Sequence, residues 1–318
     1  MKICILGLGV IGTTYGYVFQ QAGHEVEHFV RPEKQEQVSG QLPVHLLDGR
    51  FDKSGREYDD TYKVSLAKPN SEYDFIFVSV RSGRVGSAIT SLKEQNIKGT
   101  IVLFCNFWNT HEEVEEMVQD YPYVVGFPTA GGVMEENRLN GVIFDNVTLA
   151  KEIQANVLNY SDLLRVFEDA HIKVEIPYDM IEWIWIHMAV NAGVTSTAAT
   201  LGDLGNPQKL ASDLMDSSKY LSTAIKAIRE TLRIVASRGV KLKKYRGEIL
   251  PYKIPISISS RLMKYMFAHN ELTRRIMTLH NDQADILYAC NEVYHTGLEN
   301  AVDMPVFQKN MEIISGKL

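Results

Sequence analysis

Four places along this 318-residue chain hold residues whose types and spacing suggest chemistry. The first is Gly7-Leu8-Gly9-Val10-Ile11-Gly12, a G-x-G-x-x-G turn. In such a turn the first glycine permits a tight bend and the second lets backbone approach a pyrophosphate. The third lets helix and strand pack closely. The phosphates of a dinucleotide then rest on free N–H groups at a helix N-terminus. The pattern alone is weak, and its context carries it. The apolar run at 2–6 precedes it and a helical pattern to Ala22-Gly23 follows.

The second place is Arg31, at the end of the next strand-like run, His24 to Val30. NAD sites usually put an acid there for the ribose hydroxyls. A planar guanidinium instead accepts a 2′-phosphate, which points to NADP(H). A solvated surface arginine is the plainer reading. The third place comprises Arg81 and Asn106, which follow the β-forming runs Asp74–Val80 and Ile101–Cys105. Ligands of open α/β sheets bind at that edge. Arg81 fits the cofactor or a surface role about equally well. Asn106 fits a carboxamide or substrate oxygen, or a simple turn.

The fourth place is His187 with Asn191, four residues apart in the apolar run Met180–Val194, and Thr195 one turn on. A helix apolar nearly all round is normally buried, and buried polar groups need partners. An internal hydrogen-bond network and a substrate pocket both meet that need.

The elements that must position these groups divide in two. Strand-like runs alternate with helical patterns such as Val85–Glu94 and Thr110–Gln119, which predicts parallel βαβ units. Further strands are expected at Gly141–Leu149 and Ile172–Ile176. After Pro177 the texture turns helical. Leu221, Ile225, Ile228, Leu232 and Val235 make one amphipathic face that Gly239 ends. Pro251 and Pro255 mark a loop, and helical stretches follow at Ser260–Leu279 and Gln283–Asn300. The expectation is a Rossmann-type α/β domain at 1–176, a doubly wound parallel sheet, followed by an all-α domain at 177–318 for substrate binding or dimerisation.

Composition narrows the function classes. A net charge of −6, with 45% hydrophobic and 23% charged residues, fits a globular chain and argues against nucleic acid. Cys4, Cys105 and Cys290 are scattered, with no C-x-x-C pair or Cys/His cluster, so neither a metal site nor a disulfide framework is expected. Free thiols suit a reducing, cytoplasmic setting. Residues 1–7 read as a first buried strand rather than a signal peptide. No apolar run approaches the roughly 18 residues of a membrane span.

Together these features resemble the ketopantoate reductase (2-dehydropantoate 2-reductase) family over nearly the whole chain. The resemblance rests on the glycine turn and Arg31, on Arg81 where the family usually has lysine, and on Asn106 of an asparagine–glycine pair. It also takes in Gly126–Gly132 as a strand and glycine-rich turn. The family's lysine, asparagine and asparagine, spaced by four, read here His187, Asn191 and Thr195. The resemblance implies NADPH-dependent reduction of ketopantoate, or a related small 2-oxo acid, in pantothenate biosynthesis. It also implies a protomer that often dimerises.

It further implies that His187 stands where a lysine donates the proton. Asp285 stands where a glutamate meets the substrate, and Ser259 or Ser260 where a serine does. Asn106, Asn191 and Thr195 would position substrate. Phe107, in place of the family's glycine, would narrow the pocket. The altered acid–base pair leaves a second expectation open: a catalytically impaired NADPH-binding sensor or regulatory relative.

Overall fold

The structure, a computed structural model, describes residues 1–31, 35, 36, 38, 40–80, 83–155, 157–279 and 283–317, the side chains of 283–286 excepted. Two compact units emerge, Met1–Ile181 and Glu182–Leu318. The expected boundary at 176/177 lies five residues before this division.

The first unit is built on a mostly parallel sheet with helices on both sides. Its strands, in chain order, are β1 (Lys2–Leu6), β2 (Glu25–Phe29), β3 (Gln41–Asp48), β4 (Arg56–Lys63) and β5 (Glu72–Val78). They continue as β6 (Lys98–Phe104), β7 (Tyr123–Glu135), β8 (Arg138–Leu149) and β9 (Lys173–Glu175). The spatial order is β2-β1-β5-β6-β7-β8-β3-β4, with β9 also on β8. Strands β2, β1, β5, β6 and β7 run parallel. The chain therefore leaves β2, β1, β5 and β6 at one edge.

Two ladders depart from the all-parallel expectation. β7 and β8 are antiparallel, and so are β3 and β4. Residues Gly126–Gly132, expected to end in a glycine-rich turn, instead lie within the 13-residue strand β7. The register shifts between Pro128 and Ala130. Gly132 is needed there for close approach, because a Cβ would sit 2.2 Å from the Asn140 carbonyl oxygen.

Helix α1 (Val10–Gln21) is enclosed by this sheet. Eight successive residues, Gly12 to Phe19, are buried. Its aromatic side packs Tyr15 on Phe104 and Phe19 on Phe77, with ring centroids 5.2 and 5.0 Å apart. Although β2 and β4 end opposite sides of the strand order, Tyr62 of β4 meets His28 of β2. Leu66, just past β4, bridges His28 in parallel. The sheet thus curls around α1 until its two ends touch.

Further helices of this unit, among the described residues, are α2 (Val85–Glu94), α3 (His111–Val118), α4 (Glu152–Ala155) and α5 (Tyr160–Asp169). Thr110 and Glu113 form a reciprocal capping box that starts α3.

The second unit is helical: α6 (Met180–Ala199), whose first two residues close the first unit, α7 (Pro207–Met215), α8 (Ser218–Ser237), α9 (Arg246–Lys253), α10 (Ile256–His269), α11 (Glu271–Leu279), α12 (Gln283–Glu299) and α13 (Pro305–Ser315). Helix α8 buries the predicted Leu221–Val235 face, and Gly239 follows it at φ +93°. Pro251, expected in a loop, lies inside short α9. Arg229 secures that segment by donating to the carbonyls of Tyr252 and Ile254. The expected stretch Ser260–Leu279 breaks at Asn270, whose side chain accepts from Thr273 N at 2.9 Å and caps α11. Among the described residues no helix is long and apolar enough to cross a membrane.

Candidate functional site

The candidate cofactor site of the first unit lies at the sheet edge where β1, β2, β5 and β6 end. Gly7 directly follows β1 and adopts φ +90°, a conformation that favours glycine. A Cβ on Gly12 would lie 3.0 Å from the Gly7 carbonyl oxygen and 3.1 Å from Ile5 Cγ2, so this position serves helix–strand packing. A Cβ on Gly9 would meet nothing within 4 Å, so its space opens outward. Gly9 is also the N-cap of α1, and no side chain caps that terminus. The first N–H groups of α1 are therefore available in kind to an anion, as the spacing of the glycines predicts. These features fit a dinucleotide's pyrophosphate.

Arg31 stands two residues past β2 and is exposed. Asn106 stands two residues past β6 and is also exposed. Arg81 lies outside the described residues. Phe107 is 1% exposed, so its ring belongs to the core. Cys105 donates its thiol hydrogen to the Val78 carbonyl at 3.2 Å.

One residue of this region went unread in the sequence. His28, on β2, is fully buried. Its Nδ1 lies 2.7 Å from the Gly7 carbonyl oxygen and its Nε2 lies 2.8 Å from the Tyr62 hydroxyl. Burial holds its pKa down to about 4. Position 28 looks like any polar member of an alternating strand. Its signal is a histidine one residue before the strand end, beside the glycine turn.

A separate group of candidate residues lies on α6, in the second unit. His187, Asn191 and Thr195 occupy successive turns of one face. Gly193 lets α6 cross α8 closely, since a Cβ there would stand 2.7 Å from the Ile228 nitrogen. Thr231 adds a hydrogen bond to the Ala189 carbonyl at 2.7 Å. His187 keeps some solvent-accessible surface although protein atoms surround its ring. The ring stacks on Trp183 with centroids 5.3 Å apart. Asn191 Nδ2 is 2.9 Å from His187 Nε2. Burial depresses the imidazole pKa to about 4.

Thr195 turns its hydroxyl inward. It donates to the Asn191 carbonyl at 2.7 Å and meets Cys290 Sγ at 3.3 Å. Burial pushes the Cys290 thiol up to about 11, so it stays protonated. This contact ties α12 to α6. Asp285 lies in the first turn of α12, five residues before Cys290, or about 7.5 Å along the axis. Its side chain is outside the described set. Ser259 and Ser260 are both buried on α10. Ser259 donates to the Pro251 carbonyl at 2.5 Å, whereas Ser260 reaches the Ser257 carbonyl only at 3.5 Å. Of the two, Ser260 has the less committed hydroxyl. Among the described residues no cluster of His, Cys, Asp or Glu could hold a metal ion.

Residues 3–154 match the profile described as ketopantoate reductase PanE/ApbA. A 2-dehydropantoate 2-reductase of Pyrococcus horikoshii is 23% identical over 244 residues, which are 76% of this chain and 75% of that one. Among solved structures, a dimeric ketopantoate reductase from Staphylococcus aureus aligns with a TM-score of 0.62 at 13% identity, over 99% of this chain and 100% of the other. A ternary complex of D-mandelate dehydrogenase with NADH and anilino(oxo)acetate aligns at 0.68 with 15% identity, over 100% and 98%. At such identities the structures attest the shared fold. The profile and the relatives agree with the glycine turn: residues 3–154 are similar to the ketopantoate reductase family, and the whole chain shares the fold of its solved members.

Proposed function

We propose that this chain is an NADPH-dependent reductase that converts the carbonyl of ketopantoate, or of a related small 2-oxo acid, to the hydroxyl. The observation that carries the reading is the glycine turn, where a required positive φ, an open middle position and a close-packed third position coincide. A bound nicotinamide dinucleotide supplies the hydride. Gly7 to Gly12 would hold its pyrophosphate, and Arg31 its 2′-phosphate. The D-mandelate dehydrogenase neighbours are described with NADH. Arg31 is the residue that argues for NADPH here.

The proton falls to His187. In the chain as it stands, its imidazole is neutral near pH 7. An amide NH₂ only donates, so Nε2 accepts from Asn191 and the single proton sits on Nδ1. A neutral imidazole is a poor acid. An arriving 2-oxo acid brings a carboxylate, and an anion beside a histidine favours its charged form. In this reading substrate binding charges His187, and the imidazolium gives its proton to the developing alkoxide. Asn191 and Asn106 would position substrate oxygens. Asp285 would orient the site, and Ser260 and Thr195 would line it.

The test is NADPH oxidation with ketopantoate and a panel of 2-oxo acids. Turnover of at least one, with a lower KM for NADPH than for NADH, is the expected result. Intact NADPH binding without turnover of any would sink the catalytic reading and favour an impaired, regulatory relative.

A further inference from the structure

His28 has no role in the proton or hydride transfer above, yet it touches the cofactor turn. Gly7 donates its N–H to the Phe29 carbonyl at 2.9 Å, and its own carbonyl lies 2.7 Å from His28 Nδ1. Consecutive residues of β2 therefore grip both sides of the turn's first glycine. A carbonyl only accepts, so Nδ1 carries the proton. The neutral ring then accepts at Nε2 from the Tyr62 hydroxyl, 2.8 Å away. The chain Tyr62 O–H, His28 Nε2, His28 Nδ1–H, Gly7 O runs in one direction, and each bond polarises the next.

His28 is itself pinned. Its N–H donates to the Ser65 carbonyl at 2.7 Å, and its carbonyl accepts from Ala67 N at 2.9 Å. Helix α1 makes room for the pair at Gly16, where a Cβ would fall 2.6 Å from the Tyr62 hydroxyl and 2.9 Å from His28 Nε2. The pair thus fixes both the turn and the helix that follows. Because a trans peptide is planar, fixing the Gly7 carbonyl also fixes the Leu8 N–H, which points the opposite way.

We propose that His28, held by Tyr62, is a positioning residue for the dinucleotide: it sets the Gly7–Leu8 peptide so that the turn is preorganised for a pyrophosphate. The proposal rests on the dinucleotide reading of the preceding section. It assigns to a buried strand histidine a part of cofactor affinity that contacts with the ligand do not supply.

The experiment compares His28→Leu, His28→Asn and Tyr62→Phe with the parent chain. Two probes are titrated well below the melting temperature: NADPH, and adenosine 2′,5′-bisphosphate, which lacks the pyrophosphate. Asparagine can place an N–H near that of Nδ1, so it tests rescue of the Gly7 bond without the link to Tyr62. His28→Leu is expected to weaken NADPH roughly tenfold, while the bisphosphate changes by no more than about twofold. His28→Asn is expected to recover most of the loss. Tyr62→Phe is expected to weaken NADPH by about threefold, and it decides the matter should His28→Leu fail to fold.

Equal NADPH binding by folded variants would overturn the proposal and leave the dinucleotide reading intact. A parallel loss for both probes would also overturn it, since that marks a structural residue only. A parent chain that binds neither NADPH nor NADH would sink the dinucleotide reading itself, and this proposal with it.

Discussion

Asn191 donates to the Nε2 of His187 from one helical turn away, at 2.9 Å. The nitrogen that would take up a proton on acidification is therefore already engaged. Protonating His187 means breaking that bond or turning the amide, which adds to the cost of burial.

This predicts a pH profile. The free imidazole has a pKa held down to about 4, so the charged form is scarce at neutral pH and grows as pH falls. If His187 is the acid, kcat/KM rises from pH 8 toward pH 5, as long as the fold survives. His187→Ala lowers kcat roughly a hundredfold or more, the usual scale of general acid catalysis. His187→Lys moves the profile toward alkaline pH. A flat profile in the parent, unchanged in His187→Ala, would remove this histidine from the mechanism.

The glycine turn offers a cleaner separation of folding from binding. A Cβ on Gly9 meets nothing in the free chain. Gly9→Ala should therefore melt within a degree or two of the parent yet bind NADPH at least tenfold more weakly, because the methyl takes the ligand's space. Gly7→Ala, at φ +90°, should lose about 1–2 kcal/mol of stability as well. Melting curves beside fluorescence titrations would distinguish the two.

The proposed role of Arg31 in cofactor preference is tested by removing its side chain. Arg31→Ala removes a charge-assisted contact worth about 1.5–3 kcal/mol, which is roughly ten- to a hundredfold in affinity for NADPH. NADH should be little affected. Equal losses for both dinucleotides would place Arg31 elsewhere than on a 2′-phosphate.

Acid stability follows from two histidines. The unfolded chain takes up protons at histidine from about pH 6.5 downward. Folded His28 and His187 resist until about pH 4. Unfolded protein thus binds more protons between these values, and stability falls with pH across that window. The melting temperature should drop by several degrees between pH 7 and pH 4.5. His28→Asn should shrink that drop, and an unchanged slope would show that His28 titrates normally.

In the second unit, buried Glu230 accepts from Phe307 N at 2.8 Å and so caps the start of α13 from α8. Glu230→Ala leaves that amide without its partner and should cost about 1–3 kcal/mol. Circular dichroism on thermal unfolding would register it. Dinucleotide affinity should stay unchanged.

Much of the first unit was legible in the chain. β1, β5 and β6 are apolar runs bounded by turn residues, and the glycine turn sits where its spacing requires. Helix α2 falls on Val85–Glu94, as expected from the sequence. The hairpin β3–β4 was not read. β3 contains Pro43, and β4 reads Arg-Glu-Tyr-Asp-Asp-Thr-Tyr-Lys, mostly charged because it is an exposed edge. Its single fully buried residue, Tyr62, is there to reach across α1, a long-range contact that no local pattern encodes.

The site was legible in residue type more than in state. His187 and Asn191 share a face because they are four apart. The sequence does not say that the ring is neutral, or that Thr195 spends its hydroxyl on the Asn191 carbonyl and the Cys290 thiol. Those facts depend on burial and on a helix about a hundred residues away.

The curl of the sheet also bears on how the first unit comes apart. Tyr62 belongs to the strand last in the spatial order, and through His28 it is bonded to the first turn of the chain. Edge strands commonly fray independently, with little amide protection. Here the end of β4 cannot move away without breaking the Tyr62 bond to His28, the residue that holds the Gly7 carbonyl. Amides of β4 near Tyr62 should therefore exchange with solvent deuterium in step with those at the start of α1. A dinucleotide bound at the turn should slow both together, although more than fifty residues separate them in the chain.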